Sequence, residues 1–185
     1  MPRSITRCCP LCQVTLAPVE LLPDLRSWRC GKCQGQWISG EHYRVWRERQ
    51  PAGDGLPASP AGGAVEVHDS PAAKLCLDCG RLMGRQRAAA ELAFSIDRCN
   101  TCGGIWLDAN EWDALRAHDL ENKIHLIFST AWQAKLKRDD QHRQTIERLG
   151  RKLGEADLAE LLRVKTWIDK HPLRVEIRAF LIDEE

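Results

Sequence analysis

Between Leu92 and Arg98 the chain reads Leu-Ala-Phe-Ser-Ile-Asp-Arg, apolar positions alternating with small or polar ones. Period-two alternation marks a strand with one face in a core and one toward solvent. Leu25–Arg29 repeats the pattern on a shorter scale, with Trp28 expected on the buried side. Each stretch runs into a cysteine pair and follows another, so a β-hairpin is predicted between the pairs in both places.

The last third changes period. Ile124, Ile127, Phe128, Ala131 and Trp132 recur at helical spacing, and Ile146, Leu149 and Leu153 resume after a polar stretch from Gln133 to Thr145. The pattern predicts one long or two joined helices. Gly154 interrupts it. Asp157–Lys170 follows as a second amphipathic segment with Leu158, Leu161, Leu162 and Ile168 inward. Pro172 then opens a final helix with Leu173, Ile177, Phe180 and Leu181 on one face, since proline is tolerated in a first turn. Stripes of this width predict helices packed on one another into a small unit, and residues 121–185 are read as an all-α region. By contrast, residues 51–73 are rich in Pro, Gly, Ala and Ser and have no periodicity, the composition of a flexible linker, with Val65 and Val67 as a short extended piece.

Cysteine spacing supplies the chemistry. Eight of the nine cysteines form four C-x2-C pairs: Cys9/Cys12, Cys30/Cys33, Cys76/Cys79 and Cys99/Cys102. A C-x2-C pair places two sulfurs on one side of a tight turn, and two such pairs about twenty residues apart form a four-thiolate metal site. A thioredoxin-like redox reading would need a βαβ setting, and none is visible. Two zinc ions per chain are therefore expected, with tetrathiolate iron as the metal rival. Cys8 is left over as a spare thiol.

The two quartets are copies. Trp37-Ile38-Ser39 stands after the first as Trp106-Leu107-Asp108 stands after the second, which reads as an internal duplication. Ser39 and Asp108 are the expected N-caps of short helices, and Glu111 completes an Asp variant of the capping box. Gly80 and Gly103 follow the second cysteine of each pair in the later copy, where the turn needs positive φ; Gln13 and Gln34 replace them in the earlier one, predicting turns that are strained, relaxed or of another shape. The expected division is a diverged ribbon over 1–50, a linker over 51–73, a ribbon over 74–120 and helices over 121–185. So short a hairpin cannot enclose a full core, so bound metal supplies the missing free energy, on the order of 10 kcal/mol for structural zinc.

Cys76, Cys79, Gly80, Cys99, Cys102, Gly103, Gly104, Trp106, Leu107, Asp108 and Glu111 together closely resemble the bacterial zinc-ribbon family named for the N-terminal ribbon of transcription factor IIB. Residues 8–46 look like a diverged member. The resemblance implies small zinc-stabilised β units, tandem zinc ribbons whose hairpin knuckles hold a structural zinc by four thiolates. The family's name points to transcription without establishing promoter binding.

Charge separates the remaining readings. The chain is nearly neutral, but residues 1–50 hold eight Lys/Arg against four Asp/Glu while residues 76–120 hold five against seven. Arg26, Arg29, Lys32, Arg44 and Arg47, near Trp28, Trp37, Tyr43 and Trp46, are candidate nucleic-acid contacts, if the rings are exposed for stacking rather than forming the core. The acidic second copy and the helical tail favour a protein partner, and an adaptor role is ranked first, with nucleic-acid binding second and redox sensing by the zinc-bound thiolates of the first copy, with Cys8 to resolve the product, third. No nucleophile elbow, phosphate loop or H-E-x-x-H motif is present, and a closed quartet leaves no coordination position for water, so no enzymatic activity and no small-molecule substrate are expected. No apolar run reaches the eighteen or so residues that span a bilayer, and a cytoplasmic protein without a membrane partner is expected.

Overall fold

A computed structural model describes residues 7–50 and 66–182. Residues 51–65 of the expected 51–73 linker, with Val65, lie outside them. Residues Met1–Leu136 form one compact unit and Lys137–Glu185 a second.

The first unit is built on a six-stranded antiparallel sheet. Its strands are β1 (Ala17–Leu22), β2 (Leu25–Arg29), β3 (Gln36–Ile38), β4 (Gly84–Arg87), β5 (Ser95–Arg98) and β6 (Ile105–Leu107), in the order β1-β2-β3-β6-β5-β4. The predicted hairpins are β1–β2 and β4–β5. Leu25–Arg29 forms its strand as read, whereas the later strand starts only at Ser95. Trp28 lies on the face opposite Leu25 and Ser27, half-buried against the sulfur-side core and stacked on His42, with the Arg7 guanidinium 4.0 Å from its ring centre. In a strand only one alternate set can face the helices, and Leu25 fixes which set that is.

The two ribbons meet where β3 pairs with β6, with Trp37 opposite Trp106 and Ile38 opposite Ile105. Paired residues share a sheet face. Trp28, Trp37, Trp106 and Asp97 therefore form one row across four strands. Both central tryptophans are fully buried among Cys9, Cys30, Cys76 and Cys99, so this face carries the sulfur sites. Each tryptophan also lies over the glycine that precedes the other's strand. A Cβ on Gly35 would fall 2.3 Å from the Trp106 ring, and one on Gly104 would fall 2.3 Å from the Trp37 ring.

The opposite face packs Leu25, Ile38, Ile96, Ile105 and Leu107 against Tyr43 and Trp46 of α1 (Gly40–Glu48) and Trp112 and Leu115 of α2 (Glu111–Ala117). Ile124 and Ile127 of α3 (Ile124–Ile127) complete this core. The Tyr43 hydroxyl donates to the Glu121 carbonyl and accepts from the Ile124 amide, at 3.0 and 3.1 Å, which pins α3 to α1. The first turn of α4 (Thr130–Leu153) belongs here too, Trp132 Nε1 donating to the Ala88 carbonyl at 3.0 Å. A boundary at residue 120 thus cuts through the core. Ribbons expected as beads on a linker form one unit, because neither alone has the surface to bury its tryptophan.

Two local expectations are refined. Ser39 caps α1, its Oγ accepting from the His42 amide at 3.3 Å. Asp108 does not cap α2, which starts at Glu111 after Asn110 in a left-handed conformation. Glu111 does reach back, Oε2 accepting from the Asp108 amide at 2.8 Å. The Asp108 carboxylate turns away from the helix to other partners.

The second unit holds the rest of α4, α5 (Glu155–Lys170) and α6 (Arg174–Ile182). Here the packing expectation fails. Of the stripe residues Leu158, Leu161, Leu162 and Ile168 only Ile168 is buried, and α6 has no buried residue. A short α5–α6 hairpin has too little facing surface to cover both stripes.

If the crossed tryptophans hold the halves together, Gly35→Ala and Gly104→Ala each lower stability by about 1–3 kcal/mol through forced overpacking. Gly31→Ala, with nothing within 4 Å of its new Cβ, leaves it nearly unchanged. Thermal unfolding of the zinc-loaded protein reads this directly.

Candidate metal centres

Each sulfur quartet joins two knuckles, one before and one after a hairpin. Cys9 and Cys12 precede β1, Cys30 and Cys33 follow β2; Cys76 and Cys79 precede β4, Cys99 and Cys102 follow β5. The hairpin returns the chain so that all four Sγ atoms of a quartet lie within 4.8 Å of one another. Separations within the quartets include 3.7 Å for Cys9–Cys33, 3.3 Å for Cys76–Cys102 and 3.5 Å for Cys79–Cys99. A tetrahedron with metal–sulfur bonds of about 2.3 Å has edges of roughly 3.8 Å, so the spacing suits a Zn(Cys)4 site. All the cysteines are free thiols, and exposed Cys8 stands outside the quartet on a bridge to Thr15.

Knuckle amides turn toward the sulfurs. Cys12 N lies 3.3 Å from Cys9 Sγ, and Lys32 N and Cys33 N lie 3.4 and 3.5 Å from Cys30 Sγ. Burial opposes ionisation of Cys30 and Cys99, yet amide and neighbouring-thiol contacts bring them down to about 7 and about 6. Burial pushes Cys9, Cys33, Cys76 and Cys102 up. Four crowded thiols do not all ionise unless a cation sits among them, which is what zinc supplies.

The diverged copy keeps the turn shape. Gln13 and Gln34 adopt φ of 60° and 61°, beside 72° and 76° for Gly80 and Gly103. Such a residue costs about 1–2 kcal/mol in a left-handed conformation. Each glutamine offsets part of that cost by donating its side-chain amide to the carbonyl three residues back, Gln13 to Pro10 and Gln34 to Gly31.

Residues 76–118 match the family described as transcription factor zinc-finger. The match covers the second quartet and α2; the first quartet has the same geometry and stands as a tandem copy. No curated protein and no solved structure matches the chain. The chain therefore carries two tetrathiolate sites of zinc-ribbon type, fit for two zinc ions.

The candidate nucleic-acid residues do not form one patch. Trp37, Tyr43 and Trp46 are in the core, unavailable for stacking. The groove beside Trp28 mixes Arg26 with Glu20 and Asp24. Arg29 lies against Gln36, whose amide oxygen, turned toward it, accepts at 2.7 and 3.1 Å. Lys32 is exposed on a knuckle, and Arg44 pairs with Glu48 on α1 at 3.0 Å. Arg47 lies apart from the first three, beside Arg98 and His125.

A buried charge cluster, unforeseen from the sequence, lies beside the tryptophan row. Lys74 has a fully buried side chain whose Nζ donates to the Ser70 carbonyl at 2.9 Å and to Asp97 at 2.8 Å, with Asp108 3.4 Å away. A buried ammonium is tolerated only when paired in this way. Asp108 also accepts from Trp106 Nε1 at 2.7 Å and from the Ser70 amide at 2.8 Å, so it ties the tryptophan to residues 66–70. Asn110 Nδ2 donates to the Glu66 carbonyl, and Arg85 pairs with Asp69. The end of the expected linker is thus strapped to the second ribbon. The one available signal was Asp97, which alternates with buried Ile96 and so had to face the tryptophan side. Asp69, Asp108 and Glu111 bring carboxylate oxygens within 4.8 Å of one another, but Lys74 and Arg85 already supply positive charge there.

Elemental analysis of native protein should give two zinc ions per chain, and Cys30→Ser and Cys99→Ser should each lower that number by one; iron, or a full complement in either variant, would contradict the assignment. Glu111 gives a pH signature. Burial, reinforced by the charges of Asp108, Asp69 and Asp97 against an amide contact that opposes them, raises it to about 9. The native state then keeps a proton that the unfolded chain loses near the ordinary carboxylate range, so stability falls as pH rises from about 4.5 toward 9. Glu111→Gln should flatten that fall and melt higher than the parent at pH 8, measured with zinc in excess.

Proposed function

We propose that this chain is a non-catalytic adaptor, a zinc-built scaffold that holds a protein partner on its second unit. The observation that carries this reading is the apolar surface of α5 and α6. Phe180 is 79% exposed, Ile182 77% and Val175 70%, with Trp167, Leu173 and Leu181 more than half exposed. Together these residues leave apolar surface on both sides of α6, Val175 and Ile182 on one and Phe180 and Leu181 on the other. Large exposed apolar faces of this kind mark protein contacts. Their flanking charges are balanced and paired within the unit, Arg163 with Glu160, and Lys165 and Arg178 with Asp169. That arrangement suits a protein surface better than a polyanion.

Closed quartets support the absence of catalysis, since four thiolates complete a tetrahedral ion. No helix among the described residues is long and apolar enough to cross a membrane. Transcription-related nucleic-acid binding is the second reading; it is supported by the description of the matching family and weakened by the burial of the aromatics.

The test is affinity capture with zinc-loaded protein after nuclease treatment, followed by reconstitution with the purified partner. Trp167→Ser with Phe180→Asp should abolish a one-to-one complex that Arg26→Gln with Arg29→Gln leaves intact. Loss of the complex on nuclease treatment, or its survival in the tail variant, would overturn the reading.

A further inference from the structure

The duplicated fold makes two equivalent clefts, because the start of each ribbon helix is pressed against the second knuckle of the other ribbon. At one cleft Gly40, at the head of α1, packs on Cys102 and Gly103, so closely that a Cβ on Gly40 would fall 2.1 Å from the Cys102 carbonyl oxygen. At the other, Ala109 and Asp108 approach Cys33. Position for position these sites correspond, Cys33 with Cys102 and Gly40 with Ala109. Their charges are opposite. The cleft at Cys33 carries the carboxylates of Asp69 and Asp108, already answered by Arg85 and Lys74. The cleft at Cys102, about 380 Å3, gathers Arg44 and Arg47 from α1, Arg98 from β5 and His125 from α3, with Glu41 the acid among its lining residues.

Part of the positive charge of this second cleft is left without a carboxylate partner among the described residues. Arg44 shares Glu48, but neither Arg47 nor Arg98 has a carboxylate partner among the described residues. Arg98 lies 5.7 Å from the Phe128 ring centre, held by an aromatic face that leaves its donors free. Burial, and after it the charges of Arg47 and Arg98, hold His125 below its usual range, which places both guanidinium fields at the same point. Among the described residues His125 Nδ1 is buried without a hydrogen-bond partner, a backbone contact to Asn122 aside, and the N-terminal end of α1 adds its dipole from Gly40.

We propose that the cleft between α1, the Cys102 knuckle and α3 binds a phosphate group, with Arg47 and Arg98 as its principal donors and Arg44 and His125 at its margin. Guanidinium donors from two elements converge on one tetrahedral anion with the geometry arginine favours. The site draws on both ribbons, so it exists only in the fused sheet. It is separate from the apolar face of the second unit and goes beyond the adaptor reading.

Zinc-loaded full-length protein is titrated at low fixed ionic strength with inorganic phosphate, a nucleoside 5′-monophosphate and a short single-stranded oligonucleotide, followed by amide and arginine Nε resonances. Saturable shifts centred on Gly103, Arg47, Arg98 and His125 are expected with at least one of the three. Arg47→Gln and Arg98→Gln should each weaken the binding about tenfold, and Arg26→Gln should not. Binding by all three probes identifies the phosphate group itself as ligand, and binding by the oligonucleotide alone identifies the same chemistry in a nucleic-acid backbone. The proposal is overturned if no probe gives saturable shifts at these residues, or if Arg26→Gln weakens binding as much as Arg47→Gln. Arg47 is a partly buried residue of α1 outside the hydrophobic core, so its variant remains decisive if Arg98→Gln loosens the fold.

Discussion

Everything in the first unit depends on one exchange: the tryptophan of each ribbon is buried against the glycine of the other. A hairpin with a metal knuckle at one end has an inside too shallow for an indole, and an exposed indole costs roughly what its burial would gain, about 2–3 kcal/mol. By pairing β3 with β6, both rings become fully buried and the two sheets become one. The metal then has a narrower task than substituting for a missing core. Each quartet fixes where its knuckle sits, and the knuckle fixes the glycine on which the opposite ring lies. Core and metal site are therefore a single arrangement, with helices on one face and sulfur on the other.

Duplication of this kind frees one copy to diverge. The second ribbon keeps the glycines at its turns, whereas the first carries glutamines that hold the same backbone shape through their own amide groups. Charge diverged further. On the second ribbon's side carboxylates are drawn in around Lys74 and Arg85, locking Trp106 through Asp108 and strapping residues 66–70 into place. On the other side arginines face outward into a cleft with little acid to answer them. One pseudo-equivalent position serves structure, and the other is open to a ligand.

What the chain disclosed before folding, and what it withheld, divides by range. Cysteine spacing, Leu25–Arg29 and the Ser39 cap are local patterns, and local patterns report local geometry. Gly35 carried no such message, because its reason lies in a ring about seventy residues away. Asp108 read as a cap since its spacing to Glu111 is that of one, and half of the box does form; the other half lost to a stronger competitor, an indole N–H and a buried ammonium. Nothing local to Lys74 marks it for burial, which the meeting of Asp97 with Asp108 makes possible. Periodicity placed helices over the tail, but it says which residues want cover and not whether the chain itself provides it.

The exchange of tryptophans can be tested where it would be broken. Native-state hydrogen exchange on zinc-loaded Trp37→Ala reads each half of the sheet separately, since β2 and β5 belong to different ribbons. The account predicts that protection falls in β5 and β6 as well as in β2 and β3, by a similar free energy. Full protection retained in β5 and β6 while the first ribbon opens alone would show two independent modules, and would contradict it.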